Sequence, residues 1–288
     1  MSLRAKAELL LLAICVIWGV SFVVVKGALT HASPLVFIAL RFTLAGLASA
    51  AILRRRAVSG AALIAGLVLG LFLLGGYVLQ TNGLVYTTPS KSAFITAFSV
   101  VLVPLILVLG GARLQRANVV AAAAGLAGLY VLLAPSSLGA MNRGDLLTLA
   151  ASVSYAFYIV WVGHYARRFH FRDLVPIQLL VVGLGAALAL PLDRPLRLHW
   201  TVGLLAALAI TAFLATVLAF SVQNWAQRYT PPAHTALILS SEPVFAAVAS
   251  RLMTGERMDG RIIAGSALML TAVLVSELWG GRPAPIES

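Results

Sequence analysis

Glu242 is the one carboxylate placed well inside an apolar stretch of this chain, in the run Ser240-Ser241-Glu242-Pro243. Pro243 has no N–H, so the carbonyl of Leu239 loses the helical bond it would otherwise accept. Four residues therefore combine loosened backbone, two hydroxyls and an acid. Such a patch is untenable against lipid and has to face protein or water. Two readings fit it. Either the acid binds a proton or a substrate amine, or it is a carboxyl that caps hydroxyls and holds its helix in place.

Two glutamines, Gln80 and Gln223, add amide donors and carbonyl acceptors that meet carboxylate or amino groups without a fixed charge. Trp18, Phe22, Tyr77, Tyr155, Tyr158 and Trp161 offer apolar faces, most with a polar handle, which suits an amphipathic ligand such as an aromatic amino acid. Tyr86, Tyr165 and Tyr229 fit better as anchors at a membrane surface. Arg41 lies inside an apolar run, where a charge is costly. It either pairs with a carbonyl or reaches an aqueous vestibule, and a structural role is favoured. The candidate substrate-binding set is Trp18, Tyr77, Gln80, Ser99, Trp161, Gln223 and Glu242.

The same residues speak against catalysis. Intramembrane hydrolases need paired acids, a His-Glu-x-x-His site or a nucleophile with its base, and none of these stands here. His31, His164, His170, His199 and His234 are scattered without metal-ligand spacing. No glycine-rich phosphate loop follows a strand, so no ATP site, metal or cofactor is expected.

The spacing of the candidates points to the elements that hold them. Trp18 returns as Trp161, Gln80 as Gln223, and Tyr86-Thr87-Thr88-Pro89 as Tyr229-Thr230-Pro231-Pro232, all at one offset of 143. The same offset matches Ser99 with Glu242 and Lys91 with His234. Residues 91, 95, 98, 99 and 102 share one side of a helix, as do 234, 238, 241, 242 and 245. Duplication explains this register better than chance. It divides the chain into a first repeat, 1–142, and a second, 143–288.

Composition makes both repeats membrane helices. Of 288 residues, 61% are hydrophobic and only 10% charged, and mean hydropathy is +0.98. A soluble domain carries about a quarter charged residues. The apolar runs are long enough to cross the hydrocarbon core. Ten spans are expected, at about 8–28, 34–53, 60–81, 89–110, 117–134, 144–165, 174–192, 200–226, 231–252 and 260–279. The first is too long for the apolar region of a signal peptide and is read as a retained helix. Cys15, the single cysteine, excludes an intramolecular disulfide framework. The expected fold is an all-α membrane protein of ten helices in two five-helix repeats. An odd number of spans per repeat gives them opposite orientation, the construction of many secondary transporters with a site between the repeats.

Gly66 and Gly70 make a small-xxx-small face in the third helix, and Gly75-Gly76 is either packing or a bending point. Pro89 and Pro232 are expected in the first turns of the fourth and ninth helices. Gln80-Thr81-Asn82-Gly83 and Gln223-Asn224-Trp225 read as the connections before them. The fifth helix (Ala121 to Ala124, Gly125, Gly128) and the tenth (Gly265, Ser266, Ala267) are smooth, which suits support or a subunit contact and leaves a homodimer open.

The net charge of +12 does not imply nucleic acid, because the basic residues sit mainly at helix ends. Arg4, Lys6, Arg54, Arg55, Arg56, Arg113 and Arg116 bias the first half inward. Arg167, Arg168, Arg172, Arg228 and Arg282 are balanced by Arg194, Arg197, Arg251, Arg257 and Arg261, so the second half follows from the span count. Both termini are expected in the cytoplasm.

Ile17-Trp18-Gly19, Arg41-Phe42, and Tyr86-Thr87-Thr88-Pro89 with Ala93 resemble the drug/metabolite transporter superfamily. So do Glu242-Pro243-Val244-Phe245-Ala246-Ala247 and Thr254-Gly255-Glu256-Arg257. The set spans nearly the whole chain and is similar to the EamA-type ten-helix exporters, most of all to those for aromatic amino acids. The resemblance implies an inverted-repeat fold and export of small metabolites, often amino acids, from bacteria. Two departures stand out. Gly110-Gly111-Ala112-Arg113 lacks the Gly-Glu-Arg of the second half, and the first helix has no acid at its middle, since Glu8 sits at its entrance. The second departure weakens any analogy with small multidrug transporters that couple protons through such an acid. The expected activity is secondary export by alternating access, with a cavity lined by helices 1, 3, 4, 6, 8 and 9. Proton-coupled efflux of cationic drugs, with Glu242 as counter-charge, is the alternative.

Overall fold

Helix starts in this chain follow from capping chemistry. Ser2, Ser59, Thr88 and Thr201 each accept a bond from a first-turn amide, and Asn142 with Asp145 forms a capping box. Pro34, Pro89 and Pro232 open helices where a missing N–H costs nothing. The computed structural model describes residues 1–53, 58–111, 116–133, 142–193 and 195–256, with isolated positions between 260 and 271.

The elements are α1 Leu3–Ala28, α2 Pro34–Ile52, α3 Gly60–Tyr86, α4 Pro89–Thr96, α5 Ser99–Leu109, α6 Arg116–Leu133, α7 Arg143–Tyr165 and α8 Phe171–Leu188. After a short 3-10 turn come α9 Val202–Ala212, a π-helical turn Phe213–Leu218, α10 Ala219–Ala226, α11 Pro232–Leu239 and α12 Glu242–Thr254. Among the described residues there is no strand, only an isolated bridge between Ala32 and Leu198. Eight described stretches are long and apolar enough to cross a membrane. The chain is a multi-pass, all-α membrane protein. α6 falls on the fifth expected span, while the tenth lies outside the described residues, as do Arg54, Arg55, Arg56, Arg113, Arg194, Arg257, Arg261 and Arg282.

Three expectations need correcting. Gln80, Thr81, Asn82 and Gly83 are not a connection but the last turns of α3, which runs to Tyr86 and leaves only Thr87 and Thr88 before α4. Gln223, Asn224 and Trp225 are likewise inside α10. The apolar pattern weakens near these polar residues, yet nothing in them stops a helix, and their side chains find partners within the bundle. Finally, the fourth and ninth spans are each two helices, broken at Ala97-Phe98 and at Ser240-Ser241. The continuous polar stripes inferred for those spans are therefore interrupted.

α3 packs across α7 and α8, α2 lies on α8, and α1 runs against α12, α9 and α10. Close approach depends on glycine. A Cβ on Gly70 would sit 2.5 Å from Cβ of Val181 in α8, so the small-residue face is used for packing. α3 passes through Gly75-Gly76 without interruption.

Candidate substrate cavity

The two helix breaks obey the offset seen in the sequence. Phe98 N donates to Ile95 O at 3.1 Å, and Ser241 N donates to Ile238 O at 3.0 Å. Val101 N to Phe98 O and Val244 N to Ser241 O repeat the match one turn on. In the second half the hydroxyls support the break. Ser240 Oγ donates to Leu237 O at 2.6 Å and Ser241 Oγ to Ile238 O at 2.7 Å, each a second donor to a carbonyl that already accepts the backbone N–H of the same serine. Cys15 in α1 also reaches Ile238 O, at 3.5 Å.

A cavity opens beside these breaks, with about 820 Å³ of unfilled space counting the part open to solvent. Trp18, Tyr77, Gln80, Ser99, Gln223 and Glu242 all line it. Trp161 does not. It is half-buried away from the cavity and stacks on Tyr165, with ring centroids 5.4 Å apart. Its repeat mate Trp18 instead donates from Nε1 to Ala215 O at 2.8 Å. The second span also contributes, through Arg41, which the expected set of lining helices omits.

Glu242 is the first residue of α12, held against α1 by a contact only glycine allows. A Cβ on Gly19 would meet Ala246 N at 2.7 Å and Glu242 O at 2.9 Å. The hydroxyls of Ser240 and Ser241 are spent on backbone carbonyls, so the acid does not cap them. Among the described residues no hydrogen-bond donor reaches its carboxyl group.

The two glutamines differ. Gln80 Nε2 donates to Thr96 Oγ1 at 2.9 Å and its Oε1 accepts from Tyr155 OH at 3.0 Å. Gln223 Nε2 donates to Gln227 Oε1 at 3.3 Å, while its buried Oε1 has no partner among the described residues. One amide is thus locked into the wall and the other keeps an acceptor to offer.

Aromatic rings build one side of the cavity. Phe220 lies 5.5 Å from Trp18, 6.2 Å from Tyr77 and 5.9 Å from Tyr158, centroid to centroid, and Tyr77 meets Tyr155 edge-on at 5.8 Å. Phe220 was outside the expected set because phenylalanine in an apolar run gives no signal of its own.

Lys91 and His234, also matched by the repeat, lie outside the cavity. Lys91 Nζ is 2.6 Å from Oδ2 of buried Asp145, which also accepts from Thr87 Oγ1 at 2.8 Å and Asn142 N at 2.9 Å. His234 Nε2 lies 3.1 Å from Glu8 Oε1. Each side chain sits at the start of one helix and meets an acid from another span.

Comparison with known proteins identifies the setting of this cavity. The EamA-like transporter family matches residues 5–134 and, a second time, residues 142–278. The chain belongs to this family. An uncharacterized transporter of Archaeoglobus fulgidus is 34% identical over 277 residues, covering 96% of this chain and 87% of that one. A crystal structure with 21% identity superposes with a TM-score of 0.76 over 96% of this chain and 98% of its own, which shows a shared fold. As an EamA-like protein the chain is a membrane transporter of small solutes, not an enzyme.

Proposed function

We propose that this EamA-like protein exports small metabolites, amino acids including aromatic ones among them, by alternating access through the cavity described above. One observation carries the reading. A single cavity combines an acid and a glutamine carbonyl, neither with a hydrogen-bond partner among the described residues, and a set of aromatic rings. Those groups suit an ammonium and an apolar side chain on one molecule.

The moving parts follow from the same geometry. Two five-helix repeats, 1–142 and 143–288, lie in opposite orientation with the substrate between them, and both termini face the cytoplasm of a bacterial inner membrane. Matching helix breaks at Ala97-Phe98 and Ser240-Ser241 support the duplication, as does the double family match. Discontinuous helices beside a central site are a recurring device of secondary transporters.

The test is counterflow of labelled phenylalanine into proteoliposomes holding purified protein. Saturable exchange, blocked by unlabelled amino acids and not by a quaternary ammonium drug, is expected. Blockage by the drug alone would transfer the reading to cation efflux.

A further inference from the structure

Arg41 is 3% exposed and lies in the middle of α2, where an unbalanced charge is expensive. No acid among the described residues balances it in an ion pair. Its Nε donates to Thr216 Oγ1 at 2.9 Å, and Nη2 reaches Ala215 O at 3.4 Å and Tyr77 OH at 3.5 Å. The guanidinium carbon stands 5.0 Å from the centre of the Tyr77 ring and 5.1 Å from that of Phe42. These contacts steady a cation and orient it. None neutralises it.

Two of the three acceptors, Thr216 Oγ1 and Ala215 O, come from the π-helical turn Phe213–Leu218. That turn shifts the backbone register, so that Thr216 Oγ1 donates to Thr211 O, five residues back, at 2.8 Å. Ala215 O then serves Trp18 and Arg41 together. Irregular turns of this kind cluster at functional sites. The guanidinium therefore has a fixed position in the cavity wall, with Nε and Nη2 engaged and Nη1 donating to no described residue.

We propose that Arg41 is the carboxylate-binding residue of the cavity, presenting its guanidinium to a substrate whose ammonium group is taken by Glu242 and Gln223. This rests on the amino-acid reading above and narrows it to molecules carrying a free carboxylate. The repeat underlines how specific the pair is. At the same offset Arg41 corresponds to Leu184 and Glu242 to Ser99, so each charge occurs once in an otherwise duplicated frame. A cavity with one fixed cation and one acid discriminates zwitterions from plain amines. A cation-efflux site has no use for the guanidinium.

The experiment compares phenylalanine, phenylalaninamide and 3-phenylpropionate as competitors of phenylalanine counterflow in wild type, Arg41→Gln, Arg41→Lys and Thr216→Val. In wild type the amide should compete about tenfold or more less well than phenylalanine, the ratio expected for a charge-assisted hydrogen bond. Arg41→Gln should abolish the ratio. Arg41→Lys should restore part of it, and Thr216→Val, which keeps the cation but loosens its aim, should reduce it severalfold. Equal competition by amide and amino acid in transporting wild type overturns the role of Arg41 and leaves amino-acid transport standing. If wild type exchanges no amino acid, the transport reading falls. Thermal stability of detergent-purified wild type then decides the site: stabilisation by 3-phenylpropionate but not by phenethylamine supports it, and the reverse overturns it.

Discussion

Ser99 and Glu242 occupy the same place in the two halves: each is the first residue after the break of a split span, and each lines the cavity. The frame is duplicated while the chemistry at this point is not. A hydroxyl lines the cavity from one half and a carboxyl from the other, so matched positions of the sequence carry different chemistry. Directional recognition of a substrate with distinct ends needs such a difference.

Glu242→Gln should leave the fold intact, because no described residue hydrogen-bonds to the carboxyl group and the break is held by Ser240 and Ser241. Losing a charge-assisted contact to a substrate ammonium costs about 1.5–3 kcal/mol, so apparent affinity should fall about tenfold or more. Counterflow at a series of pH values checks this and tests coupling too. An unchanged rate with an unchanged pH profile removes Glu242 from both roles.

Gly19→Val should damage the same site from behind. The added Cβ would stand 2.7 Å from Phe245 Cβ and from Ala246 N, and the backbone of α12 has no way to yield without moving Glu242. Overpacking of this kind costs about 1–3 kcal/mol. A lower melting temperature together with weakened transport is expected. Gly60→Ala, at a glycine whose Cβ would meet nothing within 4 Å, serves as the control.

Much of this architecture is legible in the residue order. Apolar runs and proline positions mark the starts of α2, α4 and α11, and the offset of Gln80 and Gln223 brings both to one cavity. The misreadings have a common physical cause. Gln80, Thr81, Asn82 and Gly83 look like a turn, yet Gln80 finds its partners on neighbouring helices and Asn82 bonds back to Val78 O within its own, so α3 continues. The break at Ala97-Phe98 has no proline or glycine to announce it. The π-helical turn at Phe213–Leu218 lies in Ala, Leu, Phe, Thr and Val, and at the repeat offset it matches an uninterrupted part of α3. Arg41 is expected to pair with a carbonyl or reach a vestibule and does both, but its anchors, Thr216 and Ala215, are 175 and 174 residues away and cannot be read from the sequence. Trp161 shows the opposite error: equivalence with Trp18 in sequence did not bring it to the cavity.

Asp145→Ala should destabilise the protein more than Lys91→Ala. The carboxylate is buried and simultaneously accepts from Lys91 Nζ, Thr87 Oγ1 and Asn142 N, so its removal breaks an ion pair and a helix cap at once. A lost cap alone costs about 1 kcal/mol, and orphaned buried donors add about 1–3 kcal/mol. Removing Lys91, which is partly exposed, leaves Asp145 with two of its three donors. Thermal unfolding in detergent of both single variants and the double variant measures the order, and near-additive effects would show that Lys91 and Asp145 act independently.

The two glutamines should separate stability from transport. Gln80→Leu leaves Tyr155 OH and Thr96 Oγ1 without the amide that now joins them across α3, α4 and α7. Both groups are partly buried and Thr96 keeps its bond to Ser92 O, so the loss is at the low end of about 1–3 kcal/mol; the melting temperature should drop, and transport should fall as a consequence. Gln223→Met removes an acceptor that no described residue uses and a single long bond to Gln227. Its melting temperature should move little while the apparent KM for phenylalanine rises severalfold with little change in maximal rate. Measuring both quantities on both variants decides the assignment. If Gln223→Met destabilises as much as Gln80→Leu and leaves KM alone, Gln223 is a wall residue like its repeat mate, and the ammonium is held by Glu242 without it.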